Sequence, residues 1–303
     1  MVGHVVPHHL GRRPGTGTMP LIPQAVPATA DARVDRVLRP RWHLARTRLL
    51  WSAVVFPFAV VAICLVFLGL ATGARDWAAV PALGAAVPAA VGALRLRGRG
   101  ITDPPSWLPT AFLVAGCQLL LGVIPGFGIA VNAATGAAAG VAGALFASAW
   151  LCAGGSCLAA HRAHRALLTP LVPELGATGF HLAVPARIAI TAPAPVSASI
   201  AIGTDGVRWS ARFHRGRSAG PRVDFAVPFA RLHDVAAVTL PPTPALRPWV
   251  TLPDGTVLYA QPGPALLLRA DSAEWMIPVH DAVLIRELLL SRKGWWVRAR
   301  SRP

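Results

Sequence analysis

Apolar positions follow two patterns along this chain. From Leu49 to Ala160 they form long uncharged runs, broken only at Arg75-Asp76 and at Arg95, Arg97, Arg99 and Asp103. From about residue 180 onward they shrink to short alternating segments. The first run, Leu49 to Ala74, carries no charged side chain; about 24 residues of it as a helix measure about 36 Å, enough for a hydrocarbon core of about 30 Å. Pro104 to Ala160 is again uncharged and long enough for two crossings. The pattern predicts four transmembrane helices near 49–72, 77–94, 107–124 and 129–154, with Pro125-Gly126-Phe127-Gly128 as the turn between the last two. The second run is built largely of Ala, Gly and Val with Pro81 and Pro88, so a re-entrant segment is the alternative there.

Beyond Pro170 and Pro173 the alternation predicts strands at Ser197–Ile202, Val207–Phe213, Val223–Pro228, Asp234–Leu240, Trp249–Leu252, Val257–Ala260, Leu266–Ala270 and Trp275–Val279. Thr204-Asp205-Gly206 and Pro253-Asp254-Gly255 supply tight turns between them. The last element is helical, with Asp281 as cap, Val283, Leu284, Leu288 and Leu289 at helical spacing, and Gly294 expected to end it in a left-handed position. The expected organisation is a disordered, then basic N-terminal segment (1–48), a transmembrane domain (49–160), a linker (161–180), a β domain (181–294) and a basic aromatic tail (295–303).

Charge sets the orientation of the helices. Arg33, Arg36, Arg39, Arg41, Arg46 and Arg48 precede the first crossing, and the Arg95 to Arg99 break and the His161 to Arg165 exit fall on the same side when there are four crossings. That is the positive-inside pattern, with both termini cytoplasmic and the plasma membrane as location. The net charge of +16 does not argue for nucleic acid, because Lys293 is the only Lys among 29 basic residues, the skew of a GC-rich genome. No nucleic-acid partner is expected. The cysteines Cys64, Cys117, Cys152 and Cys157 lie in the apolar runs and form no disulfide or zinc pattern. His4, His8 and His9 in the Pro-rich first thirty residues read as incidental rather than as ligands, and neither metal nor cofactor is expected. Arg12-Arg13 lies too far from the first apolar run to be a twin-arginine signal, and Met19 is an alternative start.

Thr204-Asp205-Gly206-Val207, Val227-Pro228-Phe229-Ala230-Arg231-Leu232, Gly263-Pro264-Ala265-Leu266-Leu267-Leu268-Arg269 and Trp275-Met276-Ile277-Pro278-Val279-His280-Asp281-Ala282, about a third of the chain, resemble the C-terminal domains of uncharacterised actinobacterial multi-pass membrane proteins of bacterial PH-like type. The resemblance implies some seven strands closed by one C-terminal helix, and it implies no chemistry. The fold class expected is therefore a membrane α-helical domain of four transmembrane helices plus a C-terminal β-rich PH-like domain.

No catalytic set emerges: Ser210, His214, His233 and His280 are dispersed. Gly154-Gly155-Ser156 resembles the serine motif of rhomboid-type intramembrane proteases, but no His lies between His43 and His161 to act as its base. The function expected is that of a non-enzymatic interaction or membrane-apposition module, whose partners are the lipid bilayer and an unidentified protein. Headgroup contacts are expected from the loop arginines Arg212, Arg215, Arg217 and Arg222 and from the tail Trp295, Trp296, Arg298 and Arg300, beside Arg292 and Lys293. Gly136, Gly140 and Gly143 form a small-residue helix-packing face, within the chain or between copies. The rival classes are a small transporter or channel subunit, with Gln118 and Asn132 facing a pathway, and a membrane-bound enzyme.

Overall fold

A computed structural model describes residues 21–27, 29, 31–71, 79–133, 135–189, 196–215, 218–242, 247–271 and 273–301. Four helices in it are long and apolar enough to cross a membrane: α1 (Ala32–Leu70), α2 (Ala79–Arg97), α3 (Pro104–Ala133) and α4 (Ala137–Leu168). Helix α2 is a continuous helix of 19 residues, long and apolar enough for a crossing.

The two longest helices run well past a crossing. At 39 residues α1 is about 58 Å long, nearly twice a hydrocarbon core, and α4 at 32 residues is about 48 Å. The surplus of α1 lies upstream of Leu49, where Asp31 caps the helix by accepting from the Arg33 amide and Val34, Leu38, Trp42, Ala45 and Leu49 recur on one buried face. That stretch was expected to be a basic juxtamembrane segment; the recurrence at helical spacing makes it instead one wall of a two-helix stalk. The other wall is the end of α4, through Ala163 and Leu167, and Arg48 ties the two by donating to the Arg162 carbonyl at 2.9 Å. Disorder was expected from residue 1 to about 30; residues 1–20 lie outside the described residues, whereas Leu21 to Val26 are ordered against α1, because Ile22 and Val26 bury their side chains in the core.

Two π turns shape the bundle, at Trp51–Val55 in α1 and Leu119–Val123 in α3. Each contains the residue four positions before a proline, Ala53 before Pro57 and Leu121 before Pro125, whose carbonyl that proline cannot pair. Widening the helix there absorbs the proline, so Pro125 to Gly128 continue as helix rather than forming the expected turn. The reversal between α3 and α4 comes at Thr135-Gly136, where Gly136 takes φ +58°. Gly126 is needed for packing, since a Cβ on it would stand 3.1 Å from the Phe67 ring and 3.2 Å from Pro81.

The C-terminal half is wholly antiparallel. Strands β1 (Leu182–Pro185), β3 (Val196–Ile202), β4 (Gly206–Arg215) and β5 (Ser218–Pro228) form a four-stranded sheet in the order β1-β3-β4-β5. Strands β6 (Leu232–Leu240), β9 (Gly263–Ala270) and β10 (Ala273–Pro278) form a second, ordered β10-β9-β6. A small third sheet, β2-β8-β7, joins β2 (Ile188–Ala189), β7 (Arg247–Thr251) and β8 (Val257–Ala260). Helix α5 (Ala282–Arg300) closes the unit, capped by Asp281, which accepts from the Leu284 amide at 2.9 Å. It runs straight through Gly294, so that glycine is not its end and the expected tail is its last turns.

The expected linker is the most consequential correction. Residues 161–168 are helix, and after Pro170 a 3-10 turn, Pro173–Ala177, drives Leu175, Thr178 and Phe180 fully into the interior. One apolar cluster consequently runs from Ile22 and Trp42 on the stalk, past Leu96 and Trp107, to Phe180, Ile200 and Leu288 in the β unit. Trp42 and Phe180 meet at 5.8 Å between ring centroids, and burying side chains of that size is worth roughly 2–3 kcal/mol each. The two halves therefore do not separate at residue 180. A fragment starting at His181 loses Leu175 and Phe180 from its core, and it is expected to be insoluble, with no β-type circular dichroism; a soluble, cooperatively melting fragment would show that the shared core is dispensable.

Candidate functional site

The most buried ionisable group of the β unit is Arg292. It lies on the inner face of α5, four residues after Leu288 and seven after Ile285, and has no exposed surface. No carboxylate meets it among the described residues; its guanidinium instead donates to four main-chain carbonyls, of Gly176 (2.8 Å), Leu175 (3.2 Å), Phe180 (2.6 Å) and Gly203 (2.8 Å). Burial pushes its pKa down to about 10, still well above neutrality, so these are charge-assisted bonds at physiological pH. Gly176 has to be glycine, because a Cβ there would stand 2.2 Å from the Leu288 carbonyl oxygen. Arg292 thus clasps the turn that follows the stalk, the β3–β4 turn and α5 to one another. It is a structural residue and not the lipid-facing one expected.

The other expected residues do not converge. Trp296 is half-buried against the main core, 6.3 Å from Phe229, with the Arg300 guanidinium 4.5 Å over its ring. Trp295 has Arg292 at 5.8 Å, Lys293 donates to the Leu232 carbonyl, and Arg298 is exposed on the outer side of α5. Arg212 and Arg222 face each other across the β4–β5 ladder, Arg222 paired with Asp224 at 2.6 Å; Arg215 ends β4, and Arg217 lies outside the described residues. This hairpin begins beside the helical half, because His181, adjacent to Gly203, donates its amide to the Thr102 carbonyl in the α2–α3 connection. Arg212 is about 20 Å further along β4 and the last residue of that strand, Arg215, about 30 Å.

The helical candidates separate likewise. A Cβ at Gly136, Gly140 or Gly143 would meet nothing within 4 Å, so no helix among the described residues packs there. The close approaches are elsewhere: Gly84 against the Leu121 carbonyl oxygen (2.1 Å), Gly92 against Val114 (2.6 Å) and Gly122 against Ala85 (2.7 Å). Gln118 is buried and donates through Nε2 to the Pro57 and Ala85 carbonyls, both at 3.0 Å, which ties three helices together; Asn132 is exposed near the end of α3. Ser156 is buried and donates to the Ser52 carbonyl at 2.9 Å, on the inner face of the stalk. In the β unit Ser197 meets His214 at 2.9 Å and His233 meets Asp271 at 3.0 Å, two pairs on different sheets. Among the described residues no three His, Cys, Asp or Glu side chains stand where they could hold a metal ion.

One surface does bring distant residues together. Trp209 of β4, Phe225 of β5, Trp249 of β7 and Trp275 of β10 line a cleft of about 360 Å³ with Glu274 at its rim. Trp209 stacks on Phe225 at 5.4 Å and meets Trp275 edge-on at 5.2 Å. Phe225 remains 37% exposed, which leaves the cleft an open aromatic wall. Its floor is the outer edge of β10, the terminal strand of its sheet. There the Met276 carbonyl accepts from the Trp249 indole at 2.7 Å and the Pro278 carbonyl from the Arg187 amide at 2.8 Å. Alternation along the strand puts the Glu274 peptide groups and the Met276 N–H on the same outer edge, where no strand among the described residues pairs with them. Sequence reading saw these aromatics only as scattered strand residues, since nothing local indicates that four strands meet. Comparison with protein-family models, with curated proteins and with solved structures finds no match to this chain.

Proposed function

We propose that this chain is a non-enzymatic protein of the plasma membrane, crossing it four times with both termini cytoplasmic, whose β unit is a PH-like interaction module that takes an extended peptide segment of a protein partner. Membrane residence is supported by the outward-facing apolar side chains of all four helices, among them Phe58, Leu65, Leu83, Val91, Phe112 and Leu151. The PH-like reading is supported by a four-stranded and a three-stranded sheet closed by α5, with β2, β7 and β8 as an addition. The observation that carries the peptide-binding reading is the stretch of β10 edge in the floor of an aromatic cleft where the Glu274 peptide groups and the Met276 N–H meet no strand among the described residues, beside the Met276 and Pro278 carbonyls that Trp249 and Arg187 already occupy. An added strand would satisfy that edge while alternate side chains enter the cleft.

Capture in mild detergent tests it with the full-length protein. Proteins retained by the wild type are expected to be lost from both Phe225→Glu and Glu274→Lys, and kept by Arg33→Gln on the stalk. Equal capture by all four removes the cleft from the account. Topology is read separately: reporters after Arg99 and Arg165 should report cytoplasm, and reporters at Asp76 and Thr135 the outside. A cytoplasmic signal at Asp76 would remove the first pair of crossings.

A further inference from the structure

The basic side chains of the stalk are not equivalent. Arg41 and Arg48 donate to carbonyls of the α4 arm, Pro170 and Arg162, and so belong to the packing. Arg39, His43 and Arg46 differ. They recur at i, i+4 and i+7 and so share one face of α1, about 10 Å from end to end, turned away from α4. Opposite them runs the segment Leu21 to Val26, pinned to α1 by the buried Ile22 and Val26 and by the Trp42 indole, which donates to the Pro23 carbonyl at 3.1 Å. Between segment and helix lies an open hollow of about 520 Å³ lined by Gln24, Ala25, Arg39, His43 and Arg46. Arg46 is oriented by its Nε–H, which donates to the Ile22 carbonyl at 3.3 Å. Arg39 is already ion-paired with Asp35 one turn back along α1, whereas no described residue pairs with the side chain of His43.

We infer that this hollow is a phosphate-binding site, formed by Arg39, His43 and Arg46 with the Gln24 amide, which takes the headgroup of an anionic phospholipid. Three features favour bound phosphate over a merely solvated charge run. The groups converge on a concavity, one guanidinium is fixed in place, and donors outnumber acceptors in the wall. Depth favours the lipid. Arg46 precedes Leu50, near the start of the apolar run, by four residues, or about 6 Å, which puts it at the level of a headgroup layer about 5–7 Å thick, while Arg39, about 16 Å out, stands above that layer on its aqueous side. This placement rests on the proposed crossing by α1.

The test titrates the full-length protein in detergent with dioleoyl phosphatidylglycerol and, separately, dioleoyl phosphatidylcholine, counting bound lipids by native mass spectrometry. Phosphatidylglycerol is expected to bind more tightly, and Arg39→Gln/Arg46→Gln to weaken it roughly 25-fold, at about fivefold for each juxtamembrane arginine. Arg33→Gln/Arg36→Gln removes the same charge from the same helix outside the hollow and is expected to leave binding within about twofold. Because Arg46 also holds Ile22, His43→Glu serves as a second variant at an exposed position with no packing role, and it too should lose phosphatidylglycerol. Equal losses in both arginine pairs, or unchanged binding by His43→Glu, overturn the site. Inorganic phosphate and glycerol 3-phosphate at millimolar concentration form a third arm. Displacement of the lipid by inorganic phosphate assigns the site to free phosphate and overturns the lipid assignment, whereas displacement by glycerol 3-phosphate alone supports it. Resistance of the protein to alkaline carbonate extraction reports the membrane crossing independently, so failure of that reading is distinguishable from failure of the site.

Discussion

Arg292→Met is expected to cost the folded protein on the order of 4 kcal/mol, the largest effect of any single substitution outside the helix bundle. Methionine fills much of the volume but leaves the buried Gly176 and Phe180 carbonyls and the partly buried Gly203 carbonyl without the donor they now have, and takes a second donor from the Leu175 carbonyl, which keeps only Thr178. Each orphaned acceptor costs about 1 kcal/mol or more. Arg292→Lys is expected to recover less than half of the loss, because one ammonium cannot span acceptors on two turns that a planar fork reaches at once. Denaturant unfolding of the detergent-solubilised protein, followed by tryptophan fluorescence, measures both variants. A midpoint for Arg292→Met within error of wild type would mean that the clasp contributes nothing. The same titration locates the effect. Trp295 and Trp296 flank the clasp and should lose their native emission in the same transition as Trp42, since all three share or border one core.

The second large effect belongs to the helices. Gly84→Val should disrupt the bundle, because the first atom of any side chain would stand 2.1 Å from the Leu121 carbonyl oxygen, a main-chain atom with nowhere to go. Separating α2 from α3 by the ångström or more required would also break the Gln118 bond to the Ala85 carbonyl. A loss of at least about 3 kcal/mol, or failure to accumulate, is expected. Gly140→Ala is the matched control. Open space surrounds that position, and alanine is the better helix former by about 1 kcal/mol, so it should be neutral or slightly stabilising. Thermal melting in detergent with size-exclusion analysis compares the two, and equal melting temperatures would contradict the packing described.

Sequence reading recovered what periodicity encodes. All eight expected strands are present with ends at most five residues from those expected, because short apolar runs between turn residues mark them even where burial does not alternate, as in β9, which buries Ala265 to Leu268 in succession; β1 and β2, at four and two residues, were too short to stand out. The four apolar helices were legible for the same reason. Contacts between segments were not. Arg292 looked like a surface charge because Lys293 and a Trp pair follow it, although its spacing from Leu288 and Ile285 put it on the buried face and offered a signal that was there to be used. Val34, Leu38, Trp42 and Ala45 carried a similar signal, masked by the arginines between them and by Pro40. Pro125 and Gly126 misled in the opposite direction. In water they would argue for a turn, whereas between packed helices a π turn accommodates the proline and the glycine lets Phe67 approach. The aromatic cleft was beyond reach, since its walls come from strands up to 66 positions apart, Trp209 to Trp275.

The stalk makes the β unit mechanically continuous with α1. In the proposed orientation about 28 Å of α1 stands clear of the hydrocarbon, and the shared core fixes the β unit to it without an intervening joint. A change of about 10° in the tilt of α1, well within the range bilayer thickness can impose, would carry the head of the stalk about 5 Å sideways. Lateral stress in the bilayer and the position of the aromatic cleft are then two ends of one lever, with the clasp at Arg292 as the rivet that stops it from slipping.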